Sequence, residues 1–291
     1  MVRDRYDPGM HLPRIRRMTL ADVDRTSDAM LREGWGDRRV KLRFVAGHPA
    51  CAPLIAEADG AVVGTGVGTF NGTVAWIGTI WVDPDWRRRG LGRALTLATI
   101  EAGEDVGCRS FVLVATKAGQ PLYEGLGFEV QTWYRIKEAP GLVPGASNAV
   151  GNRPGRAFRT SDLPAMAALD RAATGEDRRH LLEAFAGPET ALCVDRADGT
   201  LGGFVVRAPW GGGATIAPDP LDAMAVLTAR RLAAGPEKRV RAGLLADNEA
   251  GLERLAADGW VDVWQAPRMI RGPVPSWDPT AIWGQFDHAI G

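Results

Sequence analysis

A run of arginines and glycines, VDPDWRRRGLGRAL at residues 82–95, follows an apolar, strand-like segment and precedes a helix-like one. Backbone amides at a helix N-terminus bind anions, because they point outward where the helix dipole is positive. Gly90 and Gly92 leave room for an anion against the backbone, and Arg87 adds a charged, fork-shaped donor. The pattern therefore predicts a phosphate-binding turn. It lacks the Gly-Lys-Ser/Thr of a P-loop, and Leu95 breaks the GxGxxG dinucleotide pattern.

Composition limits the classes of protein that could carry this turn. The 291 residues suffice for two domains, and the formal net charge of zero argues against a nucleic-acid partner bound through bulk electrostatics. The three cysteines, Cys51, Cys108 and Cys193, form no CxxC pair, so we expect neither disulfides nor a metal site. No apolar run approaches the length of a membrane span or a signal peptide. Arginine outnumbers lysine, as is typical of GC-rich genomes, and we expect a bacterial, cytoplasmic protein without a membrane partner.

The elements around the turn follow from hydrophobic patterning. Three strand-like runs between residues 52 and 82 are separated by Asp-Gly at 59–60 and Asn-Gly at 71–72, which are hairpin signals. The third strand ends in the arginine-glycine turn, and a helix follows it. RSFVLVAT at 109–116 is almost continuously apolar and predicts a strand buried on both faces. A short helix containing PLYEGLGF then precedes a closing strand at 129–138.

The second half of the chain repeats this order of elements, which indicates an internal duplication. We predict a first domain at residues 1–138, a Pro- and Gly-rich linker at 139–155, a second domain at 156–271, and a tail at 272–291. The tail is expected to dock on the body of the protein, because it carries several large apolar side chains: Trp277, Ile282, Trp283 and Phe286.

The first half resembles the GNAT superfamily of acyl-CoA-dependent N-acyltransferases. The resemblance rests on V-x-P-x-x-R-R-x-G-x-G and on L-Y-E-x-x-G-F, and it extends over about residues 14–138. The second half, about 156–271, matches only in the order of its elements. The resemblance implies an α/β (α+β) fold of two tandem GNAT-like domains, each a mixed central sheet flanked by helices.

The resemblance also implies a site for acetyl-CoA and a role for each residue in it. Ile80, Trp81 and Val82 would bind the pantetheine arm along the strand edge, which is splayed from the strand at 109–116. Tyr123 would protonate the departing thiolate, since a phenol stays protonated at neutral pH. The coenzyme pyrophosphate would be held by Arg87, Arg88, Arg89, Gly90, Leu91, Gly92, Arg93 and Ala94.

The general base is open. No Asp or Glu occurs between Asp59 and Asp83, where many relatives carry a carboxylate. Glu57 is a candidate that could act through water. Further candidates lie in the region expected to shape the acceptor pocket: Glu33, Asp37 and His48.

The second copy has lost the residues of the anion site. It has APDPLDA in place of the arginine-glycine turn and Leu255 in place of Tyr123. Asp219 and Asp222 would repel a pyrophosphate, so we expect this half to be inactive. The leading hypothesis is acetyl transfer from acetyl-CoA to a primary amine of a small molecule or protein, by a monomer or homodimer. The alternative is a non-catalytic acyl-CoA sensor whose second half is a regulatory or interaction module.

Overall fold

The computed structural model describes residues 13–143, 145 and 154–291. Within the described part of the first half, every element expected around the arginine-glycine turn is present, and its bounds lie within a few residues of those predicted. The strands and helices are β1 (Arg14–Arg17), α1 (Val23–Arg32), α2 (Arg39–Gly47), β2 (Cys51–Ala58), β3 (Ala61–Asn71), β4 (Val74–Val82), α3 (Leu91–Asp105), β5 (Ser110–Val114), α4 (Gln120–Glu124) and β6 (Glu129–Pro140).

The second half repeats this order and adds a short strand at its end. Its elements are β7 (Gly155–Ala157), α5 (Leu163–Thr174), α6 (Arg179–Phe185), β8 (Ala191–Asp195), β9 (Leu201–Arg207), β10 (Gly213–Ile216), α7 (Pro220–Ala234), β11 (Arg239–Leu245), α8 (Glu249–Ala257), β12 (Val261–Arg271) and β13 (Ile282–Gly284). Helices flank the sheet in each half, which confirms the predicted α/β class with two GNAT-like units. The larger sheet is mixed, since β4 and β5 run parallel, whereas the described pairs of the smaller sheet are all antiparallel.

The two halves exchange their long C-terminal strands. The larger sheet has the order β1-β2-β3-β4-β5-β12-β6-β11, and the smaller one β13-β10-β9-β8-β7. Strand β12 of the second half lies antiparallel between β5 and β6 of the first, and β6 pairs on its other side with β11. The strand predicted at 129–138 is present as β6, but it does not lie beside β5, because β12 of the second half takes that position.

The predicted linker begins while β6 is still hydrogen-bonded in the sheet. Residues 139 and 140 pair with Val240 and Arg239 of β11, and β7 begins at Gly155. Residues 144 and 146–153 of the linker lie outside the described residues.

A buried polar cluster also joins the halves. Glu176, 3% exposed and between α5 and α6, accepts hydrogen bonds from Asn71 Nδ2 at 2.8 Å and from Trp76 Nε1 at 2.9 Å. The Arg268 guanidinium of β12 lies 3.9 Å from the Glu176 carboxylate and stacks over Trp76 and Trp277. A buried carboxylate needs such donors to offset its lost hydration. The cluster therefore fixes the second half against β3 and β4 of the first.

The tail after β12 packs against both halves. Strand β13 pairs antiparallel with β10, and Trp283 Nε1 donates to the Ala217 carbonyl at 3.1 Å. Strand β13 occupies one edge of β10. In the first half, the corresponding edge of β4 is the one that faces β5. Residues 285–291 then run to the first half, where Ala289 lies directly over Gly78 of β4.

We expect the two halves to unfold as one unit. Met269 belongs to β12 but is fully buried in the core beneath β5 of the first half. Truncation to Ala (Met269→Ala) should lower the free energy of unfolding by about 2–5 kcal/mol, because a buried cavity is created. Val263→Ala, at a 39%-exposed position of the same strand, should change it by less than about 1 kcal/mol.

Urea unfolding followed by tryptophan fluorescence and by circular dichroism measures both changes. The two probes should report a single transition that Met269→Ala shifts as a whole. Two resolved transitions, of which only one shifts, would contradict this assembly.

Candidate functional site

A cleft opens where β4 and β5 separate. The two strands pair in parallel only at Val74–Trp76 and Ser110–Val112, while the opposite edge of β5 pairs with β12. From Ile77 to Val82, the edge of β4 that faces away from β3 therefore has no strand partner among the described residues. The cleft has a volume of about 540 Å³ and continues to the start of α3 and to α4.

A bulge in β4 shapes the inner end of the cleft. Thr79 and Ile80 together lie opposite the single residue Gly66 of β3, because Thr65 pairs with Trp81 and Val67 with Gly78. Thr79 has φ of +52°, which is unusual for a β-branched residue. The Thr65 hydroxyl stabilises this conformation by donating to the Thr79 carbonyl at 2.6 Å. Such bulges reorient backbone groups of the strand and often lie at active sites.

The arginine-glycine turn forms the outer end. Gly90 precedes α3 with φ of +84°, Arg88 has φ of +59°, and the amide of Ala94 donates to the Gly90 carbonyl. No side chain caps the helix, and its first turn contains no acidic residue. The amides before Ala94 are therefore the free donors of a helix N-terminus, where negative charge is stabilised.

The arginines of the turn are exposed, and one of them is held against the strand. Arg87 Nε donates to the Val82 carbonyl at 3.0 Å, while the Arg89 guanidinium lies 5.4 Å from the Trp86 ring centroid. A Cβ at Gly92 would lie 3.5 Å from Leu122 of α4, so Gly92 forms the wall of the cleft mouth.

The structure brings together six of the predicted site residues as lining of the cleft: Ile80, Trp81, Val82, Arg87, Gly92 and Tyr123. The remaining residues of the turn lie at its outer rim: Arg88, Arg89, Gly90, Leu91, Arg93 and Ala94. The Leu91 side chain is buried in the core, so its amide alone is available.

Tyr123 of α4 is half-buried in the cleft, with its ring edge against Phe128 at a centroid distance of 6.1 Å. Burial raises the pKa of its phenol to about 12. The hydroxyl has no hydrogen-bond partner among the described residues. It is therefore a protonated and available donor at neutral pH.

Glu57 is not part of this cleft. Its carboxylate accepts hydrogen bonds from Arg16 Nε and from Arg25, and Arg16 holds the pKa of Glu57 below its ordinary value. Arg16 also binds Asp22.

The second half repeats this ion-pair arrangement through the same atoms. Arg156 Nε binds Asp195, and Arg156 Nη1 binds Asp162. Because the same ion pairs occur in the half that lacks the arginine-glycine turn, they do not depend on that turn, which favours a structural role for Glu57.

The other candidate bases also lie outside the cleft lining. The Asp37 carboxylate accepts hydrogen bonds from Ser27 and from the Arg39 amide. His48 lies between the rings of Phe44 and His180, where burial lowers its pKa. Glu33 ends α1 on the surface.

The side of the cleft opposite the turn is completed by residues that sequence reasoning missed. Lys41 of α2 donates to Asp287 Oδ1 at 2.6 Å, although the two residues are 246 positions apart. Among the described residues that line the cleft, Asp287 supplies the one carboxylate. His288 stacks on Tyr134 and Trp264, and burial lowers its pKa to about 4, so its ring is neutral. No local motif marks these positions, because only the course of the tail brings them here.

The second half has no comparable cleft edge. Asp219 caps α7 by accepting a hydrogen bond from the Leu221 amide at 2.7 Å. The amides at this helix start are therefore hydrogen-bonded to a carboxylate of the chain itself. Leu255, at the position of Tyr123, is fully buried. Strand β13 pairs along β10 where the corresponding edge of β4 is free.

Two broader features of the described part of the chain bear on function. None of its helices combines the length and apolar character needed to cross a membrane. No three His, Cys, Asp or Glu side chains within it come together in a group suited to a metal ion.

Comparison with known proteins agrees with this architecture. A model of the acetyltransferase (GNAT) family matches residues 20–128, and a model of an acetyltransferase (GNAT) domain matches residues 166–284. The uncharacterized N-acetyltransferase YitH of Bacillus subtilis is 33% identical over 176 residues, which are 58% of this chain and 60% of that protein. The chain thus matches less than two thirds of the length of this relative.

Two solved structures share the fold over nearly the whole chain. A protein of Pyrococcus horikoshii, provisionally named an acetyltransferase, is 20% identical with a TM-score of 0.79, and the match covers 99% of this chain and 100% of that one. A tandem GNAT protein from the clavulanic acid biosynthesis pathway is 14% identical with a TM-score of 0.59, over 90% of this chain and 98% of its own. Two family-model matches that together cover most of the chain, and a fold shared over almost all of it, show that this chain belongs to the GNAT acetyltransferase family and carries two GNAT domains in tandem.

Proposed function

We propose that the protein transfers the acetyl group of acetyl-CoA to a primary amine in the cleft of the first half. One observation carries the proposal. An unpaired strand edge, an uncapped helix N-terminus with adjacent arginines, and a protonated phenol converge on a single cleft. Each of the three matches a different part of an acyl-CoA.

The residues at the cleft fit the coenzyme from its pyrophosphate to its sulfur. The amides between Gly90 and Ala94, with Arg87, bind the pyrophosphate. The free edge from Ile80 to Val82 pairs with the amide-containing pantetheine arm as it would with another strand. Tyr123, deeper in the cleft, lies on the path that the arm takes toward the bulge at Thr79.

The chain provides binding, orientation and one proton donor. Acetyl-CoA supplies an activated acetyl group, which the amine nitrogen attacks directly. The C–N bond forms as the C–S bond breaks, and Tyr123 gives its proton to the departing sulfur. The proton lost by the nitrogen passes to water, from which Tyr123 regains one. Burial raises the pKa of the Tyr123 phenol to about 12, which keeps that proton on the oxygen at neutral pH before the sulfur departs.

The first prediction concerns coenzyme binding. Replacing Arg87 by Ala and Gly92 by Glu (R87A/G92E) should abolish it. The first change removes a charged donor, and the second adds a carboxylate beside the helix N-terminus, where an added Cβ would lie 3.5 Å from Leu122. Asp219→Asn, at the matching helix start of the second half, should leave binding unchanged at one site per chain. Isothermal titration calorimetry with coenzyme A measures both, and stoichiometric binding to a folded R87A/G92E variant would refute the assignment.

The second prediction concerns Tyr123. Tyr123→Phe should lower kcat by about 10²–10⁴-fold, the usual contribution of a positioned proton donor. Affinity for coenzyme A should stay the same, since the backbone and the arginines provide it. Thiol release across a panel of primary amines measures the rate. If the native protein binds acetyl-CoA but none of the amines in the panel causes thiol release, the protein is an acyl-CoA sensor and the acetyltransferase proposal is refuted.

The third prediction separates structure from catalysis at Glu57. Glu57→Gln and its counterpart in the second half, Asp195→Asn, should each lower the free energy of unfolding by about 1–3 kcal/mol, since each weakens hydrogen bonds to a charged arginine. Neither should change kcat/KM for acetyl transfer. A large loss of kcat in Glu57→Gln alone, with native stability, would instead identify Glu57 as the general base.

A further inference from the structure

A second cavity, of about 1020 Å³, lies between the two halves and adjoins the cleft. Three residues line both spaces: Arg38, Asp287 and His288. The cavity extends from them along β6 and β11 to the end of α7 and the β9–β10 turn. The cavity therefore connects with the cleft on the side opposite the arginine-glycine turn and offers a route by which a substrate reaches it.

Positive side chains dominate the lining. Six cationic residues face three carboxylates, and two of the carboxylates already have partners: Glu138 binds Arg239 and Arg241, and Asp287 binds Lys41. Among the described residues, four of the lining cations have no carboxylate within ion-pair distance: Arg38, Arg207, Arg230 and Lys238. The cavity thus carries a surplus of positive charge although the whole chain is neutral.

Arg207 and Arg230 form the clearest anion site in this lining. Arg230 Nη1 donates to the Arg241 carbonyl at 2.8 Å, which orients the guanidinium, and Arg207 donates to the Glu189 carbonyl. Burial, together with the nearby charge of Arg207, lowers the pKa of Arg230 to about 10. Two neighbouring guanidiniums without a counterion repel each other, and a bound carboxylate or phosphate removes that repulsion.

The junction with the cleft holds the carboxylate of Asp287 beside the cation Arg38. Asp287 Oδ1 accepts from Lys41 and from the Ala289 amide, whereas Oδ2 has no hydrogen-bond partner among the described residues. This free oxygen is placed to accept a hydrogen bond from an amine at the inner end of the cleft. The lining therefore places an unpaired carboxylate oxygen at the junction, beside Arg38, and the guanidiniums of Arg207 and Arg230 in the part of the cavity that does not line the cleft.

From this arrangement we infer that the acceptor is an anionic amine. It is a small molecule with a primary amino group at one end and a carboxylate or phosphate at the other. The amino group lies at Asp287, and the anionic group binds Arg207 and Arg230 of the second half. This inference rests on the proposed acetyl transfer and names its substrate class. It gives the second half a direct part in recognition, although that half has no coenzyme cleft of its own.

Matched amines test the charge requirement. β-Alanine and 6-aminohexanoate are each compared with their own carboxamides, and O-phosphoethanolamine with ethanolamine, by thiol release at saturating acetyl-CoA. The anionic member of each pair should have the higher kcat/KM by about tenfold or more, since charged hydrogen bonds to arginine favour it. The carboxylate and phosphate pairs identify the preferred anion. Equal or better use of the uncharged members would overturn the inference.

Variants locate the recognition. Arg207→Gln with Arg230→Gln should raise KM for the anionic amine and remove the preference within each pair, while KM for acetyl-CoA stays the same. Arg230→Lys should retain part of the preference because it keeps the charge. Arg254→Gln, an exposed arginine on α8 outside both cavities, is the matched control and should behave as the native protein. Variants that fold normally and keep the full preference would overturn the assignment.

A binding experiment distinguishes failure of this inference from failure of the proposed function. Inorganic phosphate is titrated into the full chain saturated with coenzyme A, so that the start of α3 is occupied, and binding is followed by ³¹P NMR. Phosphate should bind the native protein and bind the Arg207→Gln/Arg230→Gln variant at least tenfold more weakly. If the protein acetylates uncharged amines but binds no phosphate, the anion site is refuted and the proposed transfer is not. Phosphate bound through these arginines, with no amine acetylated, would refute the proposed transfer.

Discussion

The hydrogen-bonded insertion of β12 between β5 and β6 is the constraint on which the rest of the structure depends. Because β12 takes the place beside β5, β6 lies between β12 and β11, which are both strands of the other half, and neither half closes its sheet alone. From Arg268 to Ile270, β12 is paired on both edges, with β5 on one side and β6 on the other. The duplicated protein is therefore one cooperative body, although its sequence reads as two consecutive units.

The exchange also sets the path of the tail. The chain leaves β12 at Arg271, beside the first half, pairs as β13 with the second, and returns as residues 285–291 to the first. Asp287 reaches the cleft only through this return. Residues from one end of the sequence thus complete a site whose coenzyme-binding parts lie within residues 80–123.

The sequence could predict features that depend on neighbouring residues, but not contacts between residues far apart in the chain. The turn at Arg87–Gly92 and the helix carrying Tyr123 depend on neighbours within a few residues, so their motifs were legible, and so was the order of elements in both halves. The partners of β6 were not legible, because β11 and β12 both belong to the other half of the sequence and no local pattern specifies which strands lie side by side. The pairing of Glu57 with Arg16 and the approach of Asp287 to Lys41 span 41 and 246 positions, and no local signal marks them.

The two halves differ most at one strand edge, and simple competition explains why loss of coenzyme binding in the second half would be permanent. Strand β13 is tethered to the same chain, so its effective concentration at β10 is in the millimolar range or above, whatever the coenzyme level. A free ligand would have to displace β13 and also overcome the Asp219 carboxylate at the helix start. Once the tail pairs there, glycines and arginines in that turn no longer serve binding, and a capping aspartate stabilises α7 better. The edge of β4 stays open because the same tail, after leaving β10, reaches β4 at Gly78 and stops short of the edge from Ile80 to Val82.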